Sequence, residues 1–180
     1  HVIRMSHISR LIGVQAGLGP SALQLLFQAA ALHDVGKIGI PDAILLKPGP
    51  LDADEWAVMR QHAQMGADII GQHDNELLAT ARTIALSHHE RWDGTGYPLG
   101  LKGDQIPLVG RIVALADVFD ALMSQRPYKP AFSAARSLEI MMSERGKHFD
   151  PILLDCFLDR QHEILQVMAQ YADERGPQGD

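Results

Sequence analysis

The feature that most restricts how this chain can fold is the placement of histidine and aspartate residues inside apolar helical segments. His62 follows Val58 and Met59 by one turn and precedes Ile69 by two, so its side chain faces the apolar stripe of that helix. Asp117 interrupts the nearly continuous apolar segment "RIVALADVFDAL". A carboxylate that is buried without a partner costs several kcal/mol. The fold must therefore bring each of these groups to a partner, a proton or a metal ion.

The rest of the sequence predicts an all-α fold, since no segment shows the alternation that is typical of a β-strand. The predicted helices cover residues 1–18, 21–35, 52–72, 75–89, 107–124, 133–145 and the segment from 151 onward, with a connector at 39–51 that holds at most a short helix. Asp52 starts a D-x-x-E capping signature, and Asp150 followed by proline is typical of a helix start. Four glycines and one proline within residues 92–105 predict a structured loop.

The composition predicts one globular domain over residues 1–172 and a polar tail at 173–180. Of the 180 residues, 46% are apolar and 21% are charged, and no apolar run is long enough to predict a membrane span. The formal net charge of -6 argues against a protein that binds nucleic acid non-specifically. Cys156 is the only cysteine, which excludes an intrachain disulfide and a thiolate metal site and fits a cytoplasmic location. Because the chain starts at His1 without a signal peptide, we expect a regulatory domain upstream in a longer protein.

A single histidine or acid on an apolar face is more often a satisfied core residue than a functional one. Here, however, inward-facing helical segments present a whole set of them: His1, His33, Asp34, His62, His88, His89 and Asp117. Separate partners for every member would be a coincidence, whereas a metal centre in the core of a helical bundle satisfies all of them together. Of the other histidines, His7 is interpreted as a packing residue and His148 as a loop residue.

Two doublets, His33–Asp34 and His88–His89, favour a centre with more than one ion. Neighbouring residues of an α-helix point about 100° apart, so one member of a doublet can bind one ion while the other reaches a second. Two-metal hydrolases hold their ions roughly 3.5–4 Å apart, which is a distance that a doublet can serve. We expect His88 and His89 to serve two ions and the two oxygens of Asp34 to form a bridge.

Four motifs that occur in order along the chain resemble those of a known family: "HDVGKIGIPDAILLKPGPL", "HHERWDGTGYP", "RIVALADVFDALMSQRPYK" and "GKHFDP". From His1 to about Phe157 the chain resembles the HD-GYP family of cyclic di-GMP phosphodiesterases. The resemblance implies an HD-domain helical bundle with a structured GYP loop and a buried centre of two or three divalent metal ions. The family implies iron or manganese, and the imidazole and carboxylate donors also suit nickel or zinc.

Carried over residue by residue, the resemblance implies that the seven histidines and aspartates given above are the metal ligands. It implies catalytic roles for Asp34 and Lys37. It further implies substrate contacts for Lys37, Tyr97, Arg126 and Lys129. Lys37 has a competing interpretation as a cation near a helix C-terminus. Some family members use a glutamate one turn before the position of His1 to hold a third ion, so the number of ions stays open.

The reaction implied by the resemblance is hydrolysis of cyclic di-GMP to linear pGpG, with GMP as the product of a second hydrolysis. This activity would lower the level of a bacterial second messenger, and the GYP loop is implied as a contact for a diguanylate cyclase (GGDEF) domain. The alternatives are a receptor that binds cyclic di-GMP, another nucleotide phosphohydrolase of the HD superfamily, and a purely structural bundle. The complete ligand set favours catalysis, and the GYP loop argues against the other hydrolases. Activity on hybrid cyclic GMP-AMP stays open.

Overall fold

Helices are the main secondary structure of the computed structural model, which describes residues 1–125 and 131–172. Ten α-helices lie in these ranges: α1 (Val2–Gln15), α2 (Pro20–Ala30), α3 (Asp42–Leu45), α4 (Ala53–Met59), α5 (His62–Ile70), α6 (Glu76–Ser87), α7 (Leu108–Met123), α8 (Ala134–Ser143), α9 (Pro151–Asp159) and α10 (Gln161–Gln170). Two 3-10 helices, Val35–Gly39 and Gly103–Gln105, are also present, and the described residues contain no β-strand. The all-α prediction is confirmed. Every helix in these ranges lacks the length or the apolarity needed to cross a bilayer.

Local capping groups start several helices where the sequence predicts them. The Oδ1 atom of Asp52 accepts the Glu55 N–H at 2.9 Å, and Glu55 Oε2 accepts the Asp52 N–H at 2.8 Å, which completes a capping box at α4. Asn75 caps α6 by accepting the N–H of Leu78 at 3.1 Å. Asp150 caps α9, whose first residue is a proline.

Two predicted helices are each divided by a tight turn. The helix expected over 52–72 breaks at Gln61, whose N–H donates to the Val58 oxygen three residues back at 3.0 Å. The last helix breaks at Arg160, whose N–H donates to the Phe157 oxygen at 3.2 Å. Both bonds are of the 3-10 type, which tightens a helix end. The first break starts α5 at His62 and so directs that imidazole into the interior.

The core lies between α1, α6 and α7, with α2, α9 and α10 packed around them. The fully buried apolar side chains include Met5, Ile8, Ile12, Ile84, Ile112, Leu115, Phe119, Leu154 and Phe157. Phe119 of α7 meets Phe157 of α9 edge to face, with ring centroids 5.0 Å apart. Burial of each large side chain contributes about 1.5–3 kcal/mol, so this packing is what holds the histidine-bearing segments in place.

Two glycines let the backbone segments that carry the histidines approach closely. A Cβ at Gly36, in the first 3-10 helix, would lie 2.0 Å from the His62 carbonyl oxygen and 2.4 Å from the Gly66 nitrogen. A Cβ at Gly110 of α7 would lie 2.1 Å from the Ser87 Oγ at the end of α6. Because neither residue has a side chain, the first 3-10 helix can pack directly against α5, and α7 can pack directly against the end of α6.

Candidate metal centre

Each candidate ligand lies at the end of an element or on the one helix that crosses the site. His1 precedes α1, and His33 and Asp34 lie in the turn between α2 and the first 3-10 helix. His62 begins α5, the His88–His89 doublet follows α6, and Asp117 lies in the middle of α7. The structure brings the donor atoms together in two groups, within each of which all lie within 4.8 Å of one another: Asp34, His62, His88 and His89 in the first, and His1, His33 and Asp117 in the second.

Three imidazoles are oriented by backbone carbonyl oxygens. The Nδ1–H of His33 donates to the Ala30 oxygen at 3.0 Å, and that of His62 donates to the Met59 oxygen at 2.6 Å. The Nδ1–H of His88 donates to two carbonyl oxygens of α6 at 3.0 and 3.1 Å. This tautomer leaves the Nε2 lone pair of each ring directed into the site, which is the arrangement of metal-binding histidines.

Asp34 lies at the point where the two groups meet. Its Oδ2 is 3.3 Å from the His33 Nε2, and its Oδ1 is 3.4 Å from the His62 Nε2 and 3.7 Å from the His88 Nε2. Lys37 donates to the same Oδ2. Burial acts to raise the pKa of Asp34, but the imidazoles of His33 and His88 and the Lys37 ammonium hold that pKa below its ordinary value. The carboxylate is therefore ionised, and its two oxygens face different groups.

Two imidazoles of the first group, those of His62 and His89, are neutral. Burial lowers the pKa of His62 and of His89, which keeps both rings unprotonated near neutral pH. Their Nε2 atoms are 3.0 Å apart. A hydrogen bond between them requires His89 to carry its proton on Nε2, whereas two ligand nitrogens of one ion also lie about this far apart at metal–nitrogen distances of ~2.0–2.1 Å.

The donor set fits a metal centre. The Nε2 atoms of His33 and His88 and the Oδ1 of Asp34 are buried and have no hydrogen-bond partner in the part of the chain described. Buried polar atoms are normally paired, so three unpaired atoms that converge on one site indicate a missing ligand. Nitrogen and carboxylate donors without a thiolate suit iron, manganese, nickel or zinc. These residues can hold metal ions.

The grouping differs from the expectation for the His88–His89 doublet. These two residues lie just past the end of α6, with ring centroids 3.9 Å apart and ring planes inclined at 43°. Both belong to the first group instead of serving one group each. The division between groups falls on the other doublet, since His33 belongs to the second group and Asp34 to the first.

A buried ion pair behind His1 was not anticipated from the sequence. His1 Nδ1 lies 2.6 Å from the Asp120 Oδ2, and the Arg4 Nε donates to the Asp120 Oδ1 at 2.5 Å. Asp120 is 1% exposed and Arg4 2%. The hydrogen bond to Asp120 raises the pKa of His1. Asp120 follows Asp117 by three residues and Arg4 follows His1 by three, so helical spacing places each pair on one helix face, but it does not show that the two faces meet.

A cleft of about 1040 Å³ opens beside the donor atoms, and its walls include Lys37 and Tyr97. The Tyr97 ring stacks on His89 with centroids 4.8 Å apart and planes inclined at 22°. Burial raises the pKa of Tyr97, so its hydroxyl stays protonated and can donate. The predicted substrate contacts at Lys37 and Tyr97 thus face the cleft, while Arg126 and Lys129 lie outside the described residues.

Glu90 holds the loop that carries Tyr97, a role that the sequence analysis missed. Its two carboxylate oxygens accept the N–H groups of Leu99 at 2.7 Å and of Leu101 at 2.9 Å, and the residue is 2% exposed. Tyr97 N–H also donates to the His89 oxygen at 3.2 Å. The available signal was an acid directly after two histidines and before a glycine-rich loop. Glu90 therefore fixes the loop relative to the candidate ligands.

Comparison with known proteins places these features in one family. A sequence model described as "HD domain" matches residues 1–153. A Vibrio cholerae protein named cyclic di-GMP phosphodiesterase is 48% identical over 87% of this chain, which spans 33% of that relative. A second V. cholerae protein, named 3'3'-cGAMP-specific phosphodiesterase 2, is 43% identical over 96% of this chain, which again spans 33% of the relative.

A solved structure shares the fold. It is described as Bd1817, an HDG"Y"P protein from Bdellovibrio bacteriovorus, and it superposes on 90% of this chain and 51% of its own with a TM-score of 0.69. The identity between the two sequences is 22%, so the likeness concerns the arrangement of helices. That arrangement is the helical bundle predicted from the sequence.

Proposed function

The chain belongs to the HD-domain family and to its HD-GYP branch, and on this premise we propose that it is a metal-dependent phosphodiesterase that hydrolyses cyclic di-GMP to linear pGpG. A second hydrolysis would give GMP. The observation that carries the proposal is the pair of adjoining donor groups that meet at Asp34 beside an open cleft. The identity with relatives named for this reaction supports the substrate class.

Asp34, Lys37 and Tyr97 are proposed to have different roles in the reaction. Bound divalent ions supply Lewis acidity and lower the pKa of water, which makes a nucleophile available near neutral pH. Asp34 presents one oxygen to each donor group, so it would help to hold the ions of both groups. Lys37 is held against Asp34 with its side chain 40% exposed to the cleft, where its ammonium can contact a phosphate oxygen. The Tyr97 hydroxyl is a second donor for the same phosphodiester.

We extend the proposal to the metal, the location and a partner. The nitrogen and carboxylate donors favour iron or manganese, with nickel or zinc as the other ions that this set suits. The absence of a second cysteine supports a cytoplasmic location. Leu99 in the GYP loop is 57% exposed, and an exposed apolar side chain supports this loop as a contact for a diguanylate cyclase domain. Arg126 and Lys129 are proposed to add cationic contacts to the substrate.

The proposal is tested by purifying the protein without oxygen, measuring its metal content and following cyclic di-GMP by chromatography. We expect pGpG or GMP to form, and Asp34→Ala to lose metal and to reduce turnover by more than about a hundredfold, since even outer-shell changes at metal sites cost ~10–100-fold. Asp68→Ala, at an exposed aspartate of α5, is the matched control. Full turnover by a metal-analysed Asp34→Ala protein would reject the bridging role.

A second substrate is favoured by the relative named for 3'3'-cGAMP. The same assay therefore includes cyclic GMP-AMP at equal concentration. Faster hydrolysis of the hybrid dinucleotide would assign the chain to that substrate. Binding of either dinucleotide by fully metal-loaded protein without any product would instead support the receptor function.

A further inference from the structure

One face of α4 forms a wall of the cleft that the proposed reaction does not use. Ala53, Trp56, Ala57 and Arg60 all line the cleft. Their spacing of i, i+3, i+4 and i+7 places them on one side of α4 and of Arg60, the C-cap residue that follows it. The capping box at Asp52 fixes this helix at its start. The wall is therefore a rigid surface with one large aromatic ring and one cation.

Trp56 presents its indole to the cleft. The side chain is 46% exposed although it is the largest on this face, and its neighbours there are small, Ala53 one turn before it and Ala57 directly after it. Among the residues that the structure describes, no other aromatic ring packs on it. Leu45 and Leu51 line the same cleft. An open aromatic face with apolar neighbours inside a cleft is a typical ligand surface.

An ion pair outside the cleft also restrains α4. Lys47 Nζ donates to both carboxylate oxygens of Glu55 at 2.6 and 2.8 Å, and Glu55 in turn caps the helix. Glu55 precedes Trp56 directly, so the ion pair restrains the backbone that carries the indole. A ligand that stacks on this ring meets a surface already in place, which lowers the entropic cost of binding.

Arg60 connects this wall to the candidate metal centre. Its guanidinium lies over the Tyr97 ring, 5.4 Å from the centroid, and Tyr97 stacks on His89 of the first donor group. Arg60 is exposed, and within residues 1–125 and 131–172 no carboxylate pairs with it, so its N–H donors are available. Trp56 precedes it by four residues, which places the two Cβ atoms about 5–6 Å apart.

We propose that Trp56 and Arg60 form a guanine subsite, in which a purine ring stacks on the indole while the guanidinium donates to the guanine O6 and N7 atoms. Stacking on an aromatic side chain binds any base. A bidentate arginine is selective, because guanine offers two acceptors where adenine offers one acceptor and an amino donor. The inference rests on the proposed function, since it places a nucleotide in this cleft. It assigns the recognition of the base to α4 and leaves the phosphodiester to the donor groups.

Intrinsic fluorescence tests the stacking independently of turnover. The chain has two tryptophans, so Trp92→Phe leaves Trp56 as the only one. Titration with GMP is expected to quench its emission, and ribose 5-phosphate, which lacks a base, is expected to leave it unchanged. Equal responses to both compounds, or none to GMP at saturating concentration, would overturn the stacking.

Kinetics test the subsite in the working enzyme. We expect Trp56→Leu to raise KM for cyclic di-GMP by about tenfold or more, since stacking contributes ~1–3 kcal/mol per base and 1.4 kcal/mol is tenfold. Trp56→Phe should keep most of the affinity, and Ile152→Ala, at a 73% exposed side chain of α9, is the control for surface truncation. An unchanged KM in a Trp56→Leu protein that turns over normally would reject the subsite and leave the phosphodiesterase intact. If the unaltered protein shows no turnover, the GMP titration alone decides the subsite.

Base selectivity tests Arg60. The unaltered protein should bind GMP about tenfold more tightly than AMP, and Arg60→Gln should remove this preference by weakening GMP binding, because a good bidentate pair discriminates by ~1–3 kcal/mol. Arg60→Lys keeps the charge but not the planar pair of donors, so it should also lose the selectivity. Equal losses for GMP and AMP in Arg60→Gln would show that the guanidinium contacts phosphate, which would overturn the guanine contact.

Discussion

Asp117 and Asp120 lie one turn apart on α7 and face the same histidine, yet their surroundings give them different tasks. Asp117 is 19% exposed and lines the cleft, with its Oδ1 3.5 Å from the His1 Nε2. Asp120 is buried, faces the Nδ1 on the other side of the ring and pairs with Arg4. A carboxylate behind a histidine sets its tautomer and orientation, so Asp120 is a positioning residue for His1.

Asp120→Asn tests this division of roles. The amide keeps the shape but removes the negative charge that faces both Arg4 and His1, and breaking a buried ion pair costs about 3–5 kcal/mol. We expect lower unfolding free energy in urea and a lower metal content of the purified protein. Lys37→Gln, a change at the cleft that leaves the Arg4 pair intact, should not show the stability loss. Unaltered metal content and stability in Asp120→Asn would contradict the positioning role.

His148, which is not among the proposed metal ligands, gives the protein a pH dependence of its own. Burial, followed by the charge of Arg91, lowers the pKa of His148 to about 4, from an ordinary value of 6.5. The unfolded state then binds more protons than the folded state between these pH values. The stability contributed by the neutral ring is therefore complete above pH 6.5 and is lost as the pH falls towards 4.

The measurement is a comparison of unfolding free energies at pH 7 and at about pH 4.5. Since His148 packs on Phe149 with ring centroids 4.5 Å apart, His148→Phe keeps the stacking and removes the titration. The unaltered protein should lose about 2 kcal/mol more than His148→Phe over this interval. The exposed His162 supplies the control, and His162→Gln should follow the unaltered protein. Parallel losses in all three proteins would exclude the contribution of His148.

At the scale of elements, the site depends on how closely the first 3-10 helix meets α5. That contact joins Asp34, just before the 3-10 helix, to His62 at the start of α5. Gly36 makes the approach possible because only a hydrogen atom fits against the α5 backbone. The starts of α4, α6 and α9 followed from local capping residues, whereas this approach and the break at Gln61 depend on contacts between elements.

Gly36→Ala should therefore separate the two elements. Its Cβ would meet backbone atoms, which cannot rotate away, so we expect a loss of about 3 kcal/mol and a Tm lower by roughly 6–12 °C. Gly39→Ala in the same 3-10 helix is the matched control, because its Cβ would meet only the flexible Met65 Sδ at 2.8 Å. Equal Tm values for the two variants would show that the contact does not hold the elements together.

In the whole molecule, the two donor groups contain residues from five segments that are far apart in the chain. They run from His1 to Asp117 and include the ends of α2 and α6 and the start of α5. The unpaired donor atoms of His33, Asp34 and His88 come from two of these segments, the turn after α2 and the end of α6, and an ion bound to them would join the two. Bound ions would therefore stabilise the fold as well as supply chemistry.

Removal of metal with a chelator should lower the Tm by roughly 8–16 °C, since a ligand at about a thousand times its Kd stabilises by ~4.1 kcal/mol. Addition of iron or manganese should restore the Tm. Asp34→Ala should respond to the chelator much less, because it lacks the carboxylate that lies where the two groups meet. Calorimetry of the loaded and the chelated protein makes the measurement, and coincident transitions would contradict a structural role for the metal.

Local sequence patterns are enough to predict the helical content and the capped starts of α4, α6 and α9, and to propose a set of histidines and aspartates as ligands. Each of these follows from groups within about one turn of each other, or from the energetic cost of burying a charge alone. Three features follow from long-range packing: the division of the donors into two groups, the contact of Glu90 with the GYP loop, and the position of Asp120 behind His1, 119 residues away. Such contacts depend on how whole helices pack, and helical periodicity specifies the face of a helix but not the residue that it will meet.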